Sequence, residues 1–382
     1  MLSPESQRLE AFVSGISVPP LSPASQNMLN MQYERLLEWR GQVRGDSLCS
    51  CEPTRARTAL LADNAFVTPK AVELCGKVAW LYLCSYGGMQ VEVHVECRRP
   101  PGGFLATLRH LLCIMLMFGH TDRVHIDYVP SDAKKCLPAP GEPIGPTHIN
   151  SGSTLAQGHG VIQCWRSEEH HKVFQHELVH CLCFDIKRYP YKLLGEFYRG
   201  FYIDDTGCTD QYLNCKTAVL PNEAYTECVA DILNTMFVAA ELGSADCLKL
   251  LDIERRWAVF QAAKVLHHYG FQSLKGLLRS SPDKGTRLVQ TSSVFSYLIL
   301  RAALLFHLDD FLEFKRRYSD TFVIFSRPGT RMEALRAFTE MGLRLLGSGP
   351  LCDAIDAAMK SVQEKGIAKR TLRMTALELV DR

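Results

Sequence analysis

The spacing of hydrophobic and polar positions changes several times along the chain, and each change marks an element. Residues 25–45 carry apolar side chains at helical spacing and are predicted as a helix. The stretch AWLYLCSYGGMQVEVHVEC alternates instead and reads as two strands joined at Tyr86-Gly87-Gly88, since Gly-Gly supplies the positive φ of a tight hairpin. RRPPGG at 98–103 breaks that pattern; a helix is expected at 104–118, then a strand, RVHIDYV, and a Pro/Gly-rich loop, PSDAKKCLPAPGEPIGP. THINSGST is read as a short extended stretch, followed by a turn, the strand VIQCW, and a helix from about Ser167. A loop-rich connector runs from Pro190 to about residue 220, after which nearly everything has helical spacing.

This order predicts an α+β fold: a small mixed sheet with a backing helix and a motif helix, followed by a mainly helical C-terminal half. The expected organisation is a flexible, Pro/Ser-rich arm at 1–25, an α+β subdomain at 26–190 and a helical subdomain at 191–382. The tail IAKRTLRMTALELVDR, basic then apolar, is read as a terminal helix packing on its own domain.

The predicted helix after Ser167 contains HHKVFQHELVH, and within it His176-Glu177-Leu178-Val179-His180. Residues four apart share a helix face, so His176 and His180 can grip one zinc ion while Glu177 takes a proton from the water it activates. Ser167 is the expected N-cap, with Glu168 and Glu169 suiting the positive end of the helix dipole. Val173, Leu178, Val179 and Leu182 would bury the helix; His170 and His171, in its first turn, are expected at the surface.

A catalytic zinc takes three protein ligands and leaves one position open. The third is sought in PNEAYTECVADILN, where Asn222 is the expected N-cap and Glu223, Glu227 and Asp231 recur every four residues. Tyr225, Cys228, Val229, Ile232 and Met236 form the opposite, apolar face. No Lys or Arg occurs between Lys216 and Lys249, so the acidic stripe lacks local partners and is read as facing a cation. Glu227 is the preferred ligand, with Asp231 one turn on to hold a histidine from behind; Glu223, already explained by the helix dipole, is the alternative.

Composition changes this picture little. With 47% apolar and 22% charged residues the chain is that of a folded protein, and a net charge of +2 points to neither nucleic acid nor membrane. No signal peptide or membrane-length apolar run is seen, which predicts a soluble, intracellular protein. Its 15 cysteines are then read as reduced thiols. Cys49/Cys51, Cys181/Cys183 and Cys208/Cys215 match no common zinc spacing.

His-Glu-x-x-His followed by a glutamate on a later helix resembles the gluzincin-type zinc metallopeptidases. Asn222-Glu223-Ala224 is similar to one form of their second motif and Glu227-Cys228-Val229-Ala230-Asp231 to another, which leaves both glutamates in play. THINSGST, CWRSEEHHKVFQHELVH, NEAYTECVADILN and SSVFSYLILRAALL together resemble uncharacterised zincin-like proteins of large DNA viruses. The resemblance implies a zincin-like fold, one Zn²⁺ per chain and hydrolysis of a peptide or protein substrate. It also implies a substrate-pairing edge strand at Ile149–Thr154 and an oxyanion donor among Tyr225, His267, His268 and Tyr297. Two other readings stand beside it. One is a zinc hydrolase of a non-peptide amide; the other is a non-catalytic binding protein whose zinc is closed by Cys181, Cys183 or Cys208.

Overall fold

The computed structural model describes residues 1–380 apart from 56–63, 65, 68, 75–77, 98–103, 120–122, 156–159, 187–188, 205–218, 244–245, 279–285 and 363–366. Two helices, α1 (Pro4–Val13) and α2 (Pro23–Asp46), precede β1 (Leu48–Thr54) and α3 (Pro69–Leu74). The hairpin of β2 (Ala79–Tyr86) and β3 (Met89–Glu96) follows, then α4 (Phe104–Met117), β4 (Arg123–Tyr128), the single turn α5 (Pro146–Ile149), β5 (Gly152–Leu155) and β6 (Val161–Cys164). These six strands form one mixed sheet in the order β1-β2-β3-β4-β6-β5, which leaves β5 on an edge. The hairpin turns where the sequence predicts, with Tyr86 opposite Met89 and both Gly87 and Gly88 at positive φ.

The motif helix α6 (His170–Cys181) follows β6 directly and packs against both β5 and β6. Beyond it lie α7 (Tyr191–Gly200), β7 (Ile203–Asp204), α8 (Pro221–Leu242), α9 (Cys247–His268), α10 (Leu274–Leu277) and β8 (Leu288–Val289). A π-helical segment, Phe295–Leu300, runs into α11 (Arg301–Phe306), and α12 (Leu308–Tyr318), α13 (Arg331–Leu346), α14 (Gly349–Ser361) and α15 (Ile367–Arg370) complete the chain. The α+β class and the sheet-then-helices order are those expected. No helix among the described residues is long and apolar enough to cross a membrane.

One hydrophobic cluster extends from Leu9 in α1 to Leu377 near the C-terminus. Its centre is α8, buried on every side: Tyr225, Cys228, Val229, Ile232 and Met236 are all in the core, but so are Glu227 and Asp231. A helix buried all round has no solvated face to give its carboxylates, so each needs a partner from elsewhere.

Several local expectations are corrected. The amino-terminal arm is ordered, because Leu9 and Val13 on α1 are buried and Phe12 packs edge-on against Phe260. The connector after Pro190 includes the helix α7. In THINSGST the first residues form the turn α5, and only Gly152 onward is strand. Asn222 sits inside α8, whose N-cap is Leu220. Ser167 does not cap α6; its hydroxyl donates to the Ser131 carbonyl, and the helix starts after Glu169, a residue at φ 61°. His170 is buried among Phe104, Tyr128 and Phe174. Cys49 and Cys84 are bonded as a disulfide, since strand register sets them directly opposite. Past α15 the tail is extended and interior, with Leu372, Met374, Ala376 and Leu377 buried.

Candidate metal centre

Helix α6 supplies the two motif histidines and packs antiparallel against α8, which supplies the carboxylates. Four-residue spacing stacks His176 and His180 so that their Nε2 atoms lie 3.1 Å apart. Glu223 Oε2 reaches the same point, 3.4 Å from His176 Nε2 and 3.3 Å from His180 Nε2. Among the described residues, His176, His180 and Glu223 are the group of His, Cys, Asp and Glu side chains whose ligand atoms come this close together.

A carboxylate stands behind each imidazole. His180 Nδ1 donates to Asp185 Oδ2 at 2.8 Å, which turns its Nε2 lone pair forward, the arrangement metal-binding histidines use. Glu227 Oε1 lies 3.0 Å from His176 Nδ1, near enough for the same role, though the two are not aligned for a hydrogen bond. Glu227, preferred from sequence as the third ligand, therefore stands on the far side of His176. The alternative, Glu223, is the carboxylate that meets both rings. The antiparallel alignment of the two helices explains this: Glu223 faces the paired Nε2 atoms of His176 and His180, Glu227, one turn on, faces the back of His176, and Asp231, a further turn on, approaches Lys172.

The stripe's counter-charges come from other elements. Lys172 Nζ on α6 pairs with Glu227 Oε2 and lies 3.8 Å from Asp231 Oδ1; Arg301 Nε on α11 donates to Asp231 Oδ2 at 2.5 Å. The absence of nearby Lys and Arg in the sequence was therefore a true observation with an incomplete conclusion: only Glu223 faces the histidine pair. Lys172 and Arg301 were missed because nothing local connects them to α8. Asp185 was missed too, although a carboxylate five residues after the second histidine was a usable signal.

Burial depresses His176 to about 3. Burial opposes protonation of His180 as well, yet Glu223 and Asp185 outweigh it and raise this histidine well above its usual range. Burial would raise Glu223, but His180 and His176 hold it well below the usual carboxylate range. The negative potential here is thus strong enough to keep a proton on a buried imidazole. A bound cation would take that proton's place.

Glu177, next to His176 on α6, lies against β5. Thr154 Oγ1 lies 2.7 Å from Glu177 Oε2, and burial pushes this carboxyl up to about 7. The approach depends on Gly152: a Cβ there would stand 2.9 Å from Glu177 Oε1 and 2.8 Å from Val173 Cγ1. Gly152, Val173, His176, Glu177, Glu227 and Tyr297 are among the residues lining one cleft.

Of the four donor candidates, Tyr297 is the one at this cleft, its ring centroid 6.3 Å from that of His176 and its backbone in the π-helical segment. Tyr225 is in the core, donating to the Val323 carbonyl and accepting from Lys315. His268 contacts the Glu142 carbonyl, and His267 is exposed at the end of α9. Cys181 and Cys183 donate to the carbonyls of Gly160 and Cys181, and neither joins the ligand group; Cys208 and Cys215 lie outside the described residues. No family model matches this chain, and no curated protein or solved structure is significantly similar to it.

Proposed function

We propose that the chain is a zincin-like zinc metallopeptidase, with His176, His180 and Glu223 as the protein ligands. The observation that carries this is the spacing of the three ligand atoms. A tetrahedral zinc with ligands at about 2.0–2.1 Å holds its ligand atoms about 3.3–3.4 Å apart. The separations here are 3.1, 3.3 and 3.4 Å. When bound, zinc supplies Lewis acidity toward a water nucleophile and the substrate carbonyl.

The chain's own residues do the rest. Glu177 carries the proton from the attacking water to the leaving amine, and a carboxyl near 7 is suited to both halves of that task at neutral pH. Thr154 fixes the rotamer of Glu177 by its hydrogen bond. Tyr297 is the donor for the oxyanion. β5 is an edge strand whose Gly152 lies against Glu177, an arrangement that suits an extended peptide and favours a peptide bond over another amide as the substrate.

The test pairs elemental analysis with peptide-library cleavage. One zinc per wild-type chain is expected, lost in His176→Ala. Glu177→Gln should keep the zinc and lose hydrolysis by about 10²–10⁴-fold. A zinc-loaded Glu177→Gln protein with full activity would refute the scheme.

A further inference from the structure

Between α2, α4 and the end of α8, an open cavity of about 160 Å³ is lined by Arg40, Arg44, Ala106, Arg109, His110 and Glu241. Its charge is unbalanced. Arg40 and Arg44 stand one turn apart on α2, a spacing at which like charges repel, and Arg109 faces them from α4. The single lining carboxylate, Glu241 at the end of α8, is taken by Arg40 at 2.7 Å. Arg109 Nε donates to Ser47 Oγ at 3.2 Å, and neither Arg109 nor Arg44 has an ion pair among the described residues. Two guanidinium groups therefore face one cavity without a counter-charge.

We propose that this cavity is a binding site for a phosphate-class dianion, gripped by Arg44 and Arg109. Two unneutralised guanidiniums match a doubly charged phosphoryl group better than a single carboxylate, and each can present a two-nitrogen fork to its oxygens. Arg40, already held by Glu241, forms a fixed wall. The back of the cavity is His110, 5% exposed, whose Nε2 lies 3.4 Å from Gln175 Oε1, and Gln175 adjoins His176 on α6. The site is thus separate from the metal centre, and α8 carries a residue of each, Glu241 here and Glu223 there.

Calorimetric titration of the full chain with inorganic phosphate tests this, using zinc-stripped protein so that coordination to a metal cannot mimic the signal. One saturable site is expected, weakened by salt and weakened about tenfold or more in Arg44→Gln and in Arg109→Gln. Glu241→Gln, which releases Arg40, should tighten binding, a change that mere loss of packing would not produce. Arg44 is exposed, so Arg44→Gln should unfold at the wild-type urea midpoint and keep the test valid. Titrating adenosine monophosphate and O-phosphoserine alongside tells a nucleotide source from a phosphorylated side chain. No saturable binding of any of the three, or equal binding by wild type and Arg44→Gln, would overturn the proposal.

Discussion

Glu223 and Glu227 lie one turn apart, yet replacing each by glutamine should produce opposite signatures. Glu227 is the carboxylate nearest to Lys172, a residue 1% exposed. Asp231, the next carboxylate, is 3.8 Å from Lys172 and already engaged by Arg301. Glu227→Gln therefore leaves a buried ammonium short of one negative charge, which costs about 3–5 kcal/mol. For a chain of this size that lowers the melting temperature by about 4–6 °C.

Lys172 supplies a check on the sign. Burial has already lowered it to about 7, so it releases its proton readily as pH rises, and the stability deficit of Glu227→Gln should shrink from pH 6 to pH 9. Zinc affinity in this variant should fall only about 10–100-fold, the usual effect of removing a carboxylate behind a ligand histidine. Glu223→Gln leaves Asp185 still paired with the His180 imidazolium, so the metal-free protein should lose less stability than Glu227→Gln does, while zinc binding is lost far more severely. The assay is urea unfolding of zinc-free proteins at several pH values, with zinc affinity from chelator competition. If Glu227→Gln abolishes zinc binding and leaves metal-free stability unchanged, Glu227 is the ligand and the reasoning fails.

Three further outcomes follow from the same geometry. Asp185→Asn removes the acceptor behind His180 and should weaken zinc binding about 10–100-fold with little change in fold, read by the same competition assay. Gly152→Ala sets a methyl 2.9 Å from Glu177 Oε1 and 2.8 Å from Val173 Cγ1. It should cost about 1–3 kcal/mol in urea unfolding and depress hydrolysis while zinc content stays at wild type; unchanged cleavage would show that Glu177 is not seated by this strand. His110 is buried and held neutral, its folded value lowered to about 3 by burial. The unfolded chain therefore binds this proton first, and the stability present above about pH 6.5 is lost as pH falls toward 3, by about 1.4 kcal/mol per unit. His110→Gln should flatten that slope; identical slopes would remove His110 from the account.

What the sequence determined by itself is everything that one element's own periodicity encodes. Gly87-Gly88 specified the hairpin, because only a residue without Cβ takes positive φ there freely. The apolar run at 104–118 specified α4, and four-residue spacing alone put His176 and His180 on one face. Gly152 was legible as a point of close approach, though not that Glu177 would be its neighbour.

Tertiary structure decided what lies between elements. Glu223, Glu227 and Asp231 are equivalent on the α8 face, and only the antiparallel packing of α8 along α6 sends the first to the paired imidazoles and the other two toward Lys172 and Arg301. The amino-terminal segment looked too polar to be held, yet α1 is fixed by Leu9, Phe12 and Val13 against a helix about 250 residues away in the chain. Charge partners and packing partners this remote leave no local trace, because the forces that choose them act through space and not along the sequence.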